Sequence, residues 1–326
     1  MFSIYRFIRW GIFLILSGGG LGVLALTSAY YYLLPRLPSI EHVDSFQLQV
    51  PLRVFTVDGK LIQEFGEKKR VPLGLEDIPE IMIKAVIASE DDRFYEHPGV
   101  DWQGLTRAAL HLLTTGEKGP GGSTITMQVA RNFFLGREKT YVRKANEILL
   151  AIKIENELSK DEILELYFNK IFLGQRAYGV GAAAKVYYGK KVSELTLPQV
   201  AMIAGLPQAP SRFNPIANKK AAIQRREYVL SRMLELGFIS ETEFEVANGA
   251  PVAATLHAIP VEVEAHHLAE MVRAEMIKRF GDAATTAGYK VYTTIRAKNQ
   301  EVANRALRRA LTEYDQRHGY AYQKIR

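Results

Sequence analysis

An acidic segment from Ser89 to Gly99 holds the first residues in the chain whose types could do chemistry. Four carboxylates, an aromatic pair and His97 follow an apolar helical stretch over Ile81 to Ala88. A carboxylate beside an aromatic surface can have a raised pKa and act as a general base. The alternative is an ordinary acidic helix end, which is the more frequent origin of a charge run. The segment by itself leaves both interpretations open.

A glycine-rich stretch from Gly119 to Gly122 leads into hydroxyl and amide side chains that end at Gln128. The backbone N–H groups of such a loop, together with a helix N-terminus, can bind phosphate. No Lys followed by Ser or Thr stands at the spacing of a nucleotide-binding P-loop. A simple mobile connection would explain the glycines equally well.

A basic segment from Arg131 to Lys153 has six bases and two acids, a local charge of +4 in a chain whose net charge is +7. The periodicity predicts a helix over Tyr141 to Leu158. On that helix Glu147 follows Arg143 by four residues and Lys144 by three, so both cations neighbour it. The group is either a surface ladder of ion pairs or an anion site with its own carboxylate. Spacing alone favours the ladder, because exposed pairs of this kind are common and contribute little.

Short strands precede and follow the helical part of the chain that must position these residues. The runs Arg53 to Val57 and Leu61 to Phe65, separated by Asp58-Gly59, predict a β-hairpin. Helical periodicity then extends from Pro79 to Gly249, with start signals at Ser159 and Ser240 and stop signals at Gly237 and Gly249. In the C-terminal tail, residues 255–326, the pattern predicts a helix over Val261 to Phe280, a strand over Tyr289 to Ile295 and a helix over Asn299 to Tyr314. We interpret this tail as a separate, small α+β piece.

The N-terminal region predicts one transmembrane helix. Residues 10–35 carry no formal charge and exceed the roughly 20 residues needed to cross a bilayer. Arg6 and Arg9 precede this stretch, which places the N-terminus in the cytoplasm and the remaining chain outside it. A cleaved signal peptide is the alternative, but its apolar core is usually only about 7 to 15 residues. The predicted organisation is a cytoplasmic N-terminus (1–9), the membrane helix (10–35), connector and hairpin (36–78), a helical domain (79–250) and a linker (251–326).

Composition excludes several classes of protein. The chain is globular in character, with 48% hydrophobic and 24% charged residues among 326. Cysteine is absent, which excludes disulfide scaffolds, Cys-ligated zinc, iron–sulfur clusters and thiol nucleophiles. The chain contains no H-E-x-x-H zinc motif and no S-x-x-K or K-T-G motif of an acylating serine enzyme.

Five segments, taken in order, resemble the motifs of the peptidoglycan glycosyltransferases of glycosyltransferase family 51, the membrane-anchored N-terminal part of class A penicillin-binding proteins. The segments are Glu90 to His97 (E-D-x-x-F-x-x-H), Gly121 to Gln128 (G-G-S-T-I-T-x-Q), Arg143 to Glu147 (R-K-x-x-E), Lys160 to Asn169, and Arg225 to Leu230 (R-R-x-x-V-L). Phe168 stands where the fourth motif usually has Leu or Val. Residues 288–295 and 314–320 are similar to the linker before the transpeptidase domain, so the resemblance implies a chain that lacks that domain and does not inherit penicillin binding.

The resemblance implies a mainly α, lysozyme-like domain that polymerises lipid II into glycan strands and releases polyprenyl diphosphate. It implies that Glu90 is the general base and that Glu147 is a second catalytic carboxylate. The residues it assigns to substrate binding are Asp91, Phe94, His97, Gly122, Ser123, Thr124, Gln128, Arg131, Asn132, Arg143, Lys144, Tyr167 and Asn169.

The implied partners are lipid II, the growing glycan chain, membrane lipid and cell-wall synthesis proteins, with no nucleic acid. The implied location is the bacterial inner membrane, with the catalytic domain in the periplasm or outside the cell. A divalent cation such as Mg²⁺ could assist at the diphosphate, but the sequence gives no ligand set and no metal site is assigned.

Two other functions compete with this one. Two-carboxylate chemistry on glycans is also that of lysozymes, which makes a lytic enzyme the first alternative. The second is a catalytically idle membrane scaffold that holds anionic lipid on its basic segment. A hydrolase does not need a concentrated group of cations near its acid, and a scaffold does not need five intact motifs.

Overall fold

The structure is a computed structural model that describes residues 37, 49–66, 69–116, 122–135, 140–257 and 261–318. The predicted N-terminus, the predicted transmembrane helix over 10–35 and most of the connector lie outside these residues, as do residues 119–121 and 319–320. No helix within the described ranges has the length and apolar character that crossing a bilayer requires. The membrane helix and its orientation stay predictions.

The described residues are mainly helical, which confirms the predicted class; the lysozyme-like topology and the predicted domain boundaries stay predictions. The helices are α1 (Glu80–Glu90), α2 (Trp102–Thr115), α3 (Ile125–Phe134), α4 (Tyr141–Glu157), α5 (Lys160–Lys170), α6 (Val180–Tyr188), α7 (Leu197–Ala204), α8 (Lys219–Glu235), α9 (Glu241–Gly249), α10 (His266–Phe280) and α11 (Ala297–His318). The strands are β1 (Leu52–Phe55), β2 (Leu61–Phe65), β3 (Lys69–Arg70), β4 (Ala177–Tyr178) and β5 (Lys290–Tyr292).

The chain divides into two compact units. The first comprises Met1–Phe46, of which only Leu37 is described, and Glu90–Tyr167; the second comprises Gln47–Ser89 and Phe168–Arg326. The first four predicted motifs begin in the first unit. The fourth motif continues into the second unit with Phe168 and Asn169, and the second unit also contains the fifth motif.

Threonine caps start the two helices that carry the glycine-rich and basic motifs of the first unit. Thr124 Oγ1 accepts a hydrogen bond from the backbone N–H of Met127 at 3.1 Å, and Thr140 Oγ1 accepts one from Arg143 at 3.1 Å. Each cap satisfies a donor that the first turn of a helix leaves unpaired. A small apolar core of Val100, Met127 and Ala151 joins the segment before α2 to α3 and α4.

A three-stranded sheet with the order β2-β1-β5 organises one end of the second unit. The predicted hairpin is confirmed, because β1 pairs antiparallel with β2 around a turn in which Gly59 has a φ of 80°. The tail is not separate from this hairpin: β5 pairs parallel with β1, with Arg53 opposite Lys290. One core lies under the sheet and α10, formed by Leu52, Val54, Ile62, Val263, Ala265, Ala269, Met276, Ala284 and Ala297.

Helix boundaries follow the predicted signals with one instructive difference. Ser240 Oγ accepts from the N–H of Glu243 at 3.3 Å and starts α9, as predicted. Gly237, with a φ of 70°, follows the end of α8. The helix predicted from Val261 begins only at His266, and the N–H groups of Glu262 and Val263 before it donate to the carbonyl oxygen of Leu61 at the start of β2.

Candidate active site

Glu90 is the last residue of α1 and is partly buried. Gln128 Nε2, on α3, donates a hydrogen bond to Glu90 Oε2 at 2.9 Å. This hydrogen bond holds one oxygen of the carboxylate in a defined position. The structure therefore brings together the residue predicted as the base and the last residue of the glycine-rich motif.

Asp91, the next residue, has its carboxylate buried among protein donors. The N–H of Ile125 donates to Asp91 Oδ2 at 2.9 Å, and His97 Nε2 donates to Oδ1 at 2.9 Å. A carboxylate at the first turn of a helix is stabilised by the unpaired N–H groups and by the helix dipole. Asp91 and His97 thus join the first motif to the start of α3, and their predicted contact with substrate stays a prediction.

Thr124 and Phe94 reinforce the same junction. Thr124 is 2% exposed, and besides capping α3 its hydroxyl donates to the carbonyl oxygen of Gly99 at 2.6 Å. Phe94 is fully buried, and its ring lies 4.4 Å from Lys160 Nζ. Gly122 lies close to α2, because a Cβ there would be 2.9 Å from a methyl group of Leu105. These predicted site residues therefore build the frame around Glu90.

Glu147 is buried between two cations on its own helix. Its side chain is 1% exposed, Arg143 Nη1 donates to its Oε1, and Lys144 Nζ donates to its Oε2 at 3.2 Å. The surface ladder favoured from spacing alone is therefore wrong, since a ladder needs a solvated carboxylate. Buried charges require compensating partners, and both cations supply them here.

Lys144 connects this group to the glycine-rich motif, since its Nζ donates to Ser123 Oγ at 2.6 Å. Burial lowers the pKa of Lys144 to about 8, and the neighbouring Arg131 and Arg143 contribute in the same direction. Arg143, Lys144 and Arg131 thus form a concentrated positive region, which we call the cation group, with Glu147 partly offsetting its charge. Such a region can stabilise an anionic ligand.

The remaining predicted site residues differ in their burial and in the compact unit to which they belong. Arg131 and Asn132 are partly buried on α3. Tyr167 on α5 is 1% exposed and belongs to the apolar interior. Asn169 lies in the second unit, where its side chain accepts from the N–H of Leu73 at 2.9 Å and donates to the carbonyl oxygen of Leu73 at 2.7 Å. A role of Tyr167 and Asn169 in substrate binding stays a prediction.

The fifth motif serves the packing of the second unit. Arg225 Nε donates to the carbonyl oxygen of Gly205 at 3.2 Å, and its guanidinium lies 4.4 Å from the ring centroid of Tyr228. Arg226 is 2% exposed and donates to the carbonyl oxygen of Asn248 at 2.8 Å. These contacts tie α8 to the ends of α7 and α9.

Sequence reasoning assigned no role to three polar residues of the site's frame: Thr126 and Lys160, which lie within the second and fourth motifs, and Glu155, which lies outside all five. Thr126 Oγ1 donates to Glu155 Oε1 at 2.5 Å, and Lys160 Nζ donates to the same oxygen at 2.8 Å. Glu155 lies eight residues after Glu147, so the two acids share a helix face with the fully buried Ala151 between them. An acid on the buried face of a helix is the signal that could have revealed Glu155.

Several known proteins are similar to this chain. A family model described as transglycosylase matches residues 58–234. Penicillin-binding protein 1A of Pseudomonas aeruginosa is 51% identical over 97% of this chain and 38% of its own length. The Escherichia coli protein of the same name is 49% identical over 97% of this chain and 37% of its own length. A crystal structure of penicillin-binding protein 1A from Haemophilus influenzae is 37% identical, covers 86% of this chain and 32% of that chain, and has a TM-score of 0.48.

The chain spans less than two fifths of the length of these curated relatives. Its predicted resemblance to the glycosyltransferase region of a class A penicillin-binding protein is confirmed by the family match and by the two relatives. The family match covers more than half of the chain and includes Glu90, Gln128, Lys144 and Glu147. The chain belongs to the transglycosylase family.

Proposed function

We propose that the chain is a peptidoglycan glycosyltransferase that polymerises lipid II into glycan strands and releases polyprenyl diphosphate. In this reaction a sugar hydroxyl of the acceptor attacks the anomeric carbon of the growing chain, and the bond from that carbon to the diphosphate oxygen breaks. The hydroxyl loses a proton and the diphosphate leaves with the bonding electron pair. A base and a group of cations are what such a transfer needs.

Glu90 takes the proton in this proposal. An alcohol is a poor nucleophile near neutral pH, and a positioned base contributes about 10² to 10⁴ in rate. The hydrogen bond from Gln128 fixes one carboxylate oxygen. Asp91 keeps the backbone next to Glu90 attached to α3. Preorganisation of this kind lowers the cost of reaching the reactive geometry.

The cation group stabilises the leaving diphosphate. Arg143 and Lys144 already hold Glu147. A rigid, partly desolvated pair of cations stabilises developing negative charge without reorganising during the reaction. Glu147 orients the two cations and moderates their repulsion. Among the described residues no three His, Asp or Glu side chains come together as a metal site would require, so we assign no protein ligands to a cation.

Membrane attachment and location follow from the same proposal. The predicted helix over 10–35 would hold the enzyme where its lipid-linked substrate resides, with the catalytic part in the periplasm or outside the cell. The growing glycan, membrane lipid and other cell-wall synthesis proteins are the partners we propose.

The observation that carries the proposal is the joint presence, in one compact unit, of a fixed carboxylate and a carboxylate-braced cation group linked through Ser123. A lytic enzyme would need the acid but not the cations.

Incubation with lipid II in detergent or liposomes tests the function directly. We expect consumption of lipid II, long glycan and release of the lipid diphosphate. Cleavage of preformed glycan without consumption of lipid II would instead establish the lytic alternative. Absence of both reactions would favour the scaffold.

A further inference from the structure

Glu155 is a buried carboxylate whose two hydrogen-bond donors lie in the elements that surround Glu90. Its side chain is 7% exposed. Thr126 and Lys160 donate to its Oε1 at 2.5 and 2.8 Å. Thr126 belongs to the first turn of α3, and Gln128 in the same turn donates to Glu90. Glu155 therefore fixes the turn that fixes the proposed base.

Lys160 contacts the segment that follows Glu90, residues 91–99, at Phe94 and His97. Its Nζ donates to the carbonyl oxygen of His97 at 2.7 Å and lies 4.4 Å from the centroid of the Phe94 ring. Both the charge-assisted hydrogen bond and the contact with the ring constrain where the ammonium group can lie. The same ammonium pairs with Glu155, so one ion pair restrains α3 and the segment after Glu90 together.

Gly99 shows how closely this segment approaches Glu155. Its φ is +86°, and a Cβ at this position would lie 2.7 Å from the carbonyl oxygen of Ala151 and 2.9 Å from Glu155 Cγ. The backbone after His97 thus lies directly on the turn of α4 that presents Glu155. A shift of the Glu155 side chain would therefore displace this backbone.

We propose that Glu155 and Lys160 are positioning residues for the transfer reaction: together they set the location of Glu90 through Thr126 on one side and His97 on the other. The inference rests on the function proposed above. Glu155 and Lys160 act through these contacts with Thr126 and His97 and do not touch the substrate. Displacing a reacting group by about 1 Å can cost about 10² in rate, so such residues affect turnover more than substrate affinity.

Reach and charge at position 155 can be separated by two substitutions. Glu155→Asp keeps the charge but shortens the side chain, so its carboxylate no longer reaches both Thr126 and Lys160. Glu155→Gln keeps the reach and one oxygen acceptor but removes the charge. We expect Glu155→Asp to lower kcat about tenfold or more with KM within about twofold, and Glu155→Gln to stay within about threefold of wild type. The reverse order would overturn the proposal, because it would mean that the charge and not the position matters.

A double variant separates positioning from plain stability. Replacing both partners of a buried ion pair by apolar residues of similar size often restores stability that single replacements lose. We therefore expect Glu155→Leu with Lys160→Met to unfold at a higher temperature than Glu155→Leu alone, yet to keep a kcat as low as that of Glu155→Asp. Recovery of kcat together with stability would overturn the proposal. Glu157→Asp, at an exposed site on the same helix, is the matched control and should match wild type.

Hydrogen exchange distinguishes failure of this inference from failure of the proposed function. The N–H groups of Phe94, Glu96 and Gly99 donate within the segment to Asp91, Arg93 and His97. We expect the full chain carrying Glu155→Asp to lose protection at these amides. Unchanged protection would overturn the positioning role whatever the enzyme does. If Glu155→Asp loses protection but the wild-type chain does not consume lipid II, the proposed function alone is overturned.

Discussion

Ser123 and Lys144 are 21 residues apart in sequence and are joined by a hydrogen bond of 2.6 Å from Lys144 Nζ to Ser123 Oγ. Thr124, the neighbour of Ser123, caps α3, and the same helix presents Gln128 to Glu90. The glycine-rich motif is thus the physical link between the acid and the cation group. This arrangement explains why hydroxyl residues follow the glycines: one hydroxyl binds the lysine and the next starts the helix.

Removing the cations should slow the reaction in a graded way. Charge-assisted contacts of this type contribute roughly 1.5 to 3 kcal/mol each, so Arg143→Ala and Lys144→Ala should each lower turnover of lipid II by about one to two decades. Rates are measured with lipid II as substrate. Lys185→Ala, an exposed lysine in the second unit, is the control. Full activity in the double variant Arg143→Ala with Lys144→Ala would show that the cation group does not stabilise the diphosphate.

Activity should fall on the alkaline side as Lys144 loses its proton. Burial lowers the pKa of this lysine to about 8, so in the free enzyme its charge is present below that pH and is lost above it. A profile of kcat/KM against pH, which reports the free enzyme, should decline above about pH 8 toward the level of Lys144→Ala. In Lys144→Arg the decline should move to higher pH, because a guanidinium stays protonated. An unchanged alkaline limb in that variant would assign the decline to another group.

Unfolding does not account for this expected decline. The ordinary pKa of a lysine side chain is 10.5, whereas the pKa of folded Lys144 is about 8. Between these two values the unfolded chain binds more protons than the folded one, so the contribution of Lys144 to stability rises with pH. Thermal unfolding measured across the same range should therefore show no loss that originates at this residue.

Gly99 should not tolerate a side chain. Gly99→Ala places a Cβ 2.7 Å from the carbonyl oxygen of Ala151 at a φ of +86°. A left-handed conformation costs roughly 1 to 2 kcal/mol for a residue other than glycine, and overpacking adds typically about 1 to 3 kcal/mol. Gly116→Ala is the matched control, since Gly116 has a φ of +70° and a Cβ added there would meet nothing within 4 Å among the described residues. The unfolding temperature should fall further in Gly99→Ala than in Gly116→Ala. Equal decreases would mean that the backbone at Ala151 moves to accept the added Cβ without a cost in stability.

Local signals in the sequence predict the elements well where a single segment determines them. The Asp58-Gly59 turn, the cap at Ser240 and the helix over Tyr141 to Leu158 depend on residues within one turn of each other. The predicted start of α10 is too early: Glu262 and Val263, which the periodicity predicts to be helical, pair with Leu61, which lies 201 residues before Glu262 in sequence. A pairing of that kind leaves no mark in the local periodicity.

The candidate site is predictable in its residues but not in its burial. Spacing alone puts Glu147 beside Arg143 and Lys144, yet whether that face is solvated depends on how α4 packs against α3. The same packing buries Glu155, whose partner Thr126 lies 29 residues earlier. Helical periodicity can mark Glu155 as an acid on the same face as apolar residues, but it does not show that Thr126 is its partner.

Glu90→Gln should abolish polymerisation while leaving the fold intact. Gln keeps the size of the side chain and an oxygen that can accept the hydrogen bond from Gln128, but it cannot take the acceptor's proton, so kcat should fall by about 10² or more. Lipid II consumption gives the rate, and binding of a lipid-diphosphate analogue should stay near wild type. Glu96→Gln is the control from the same acidic segment, since Glu96 is exposed and should be nearly silent. Polymerisation near the wild-type rate in Glu90→Gln, or a dead Glu96→Gln, would show that Glu90 is not the base.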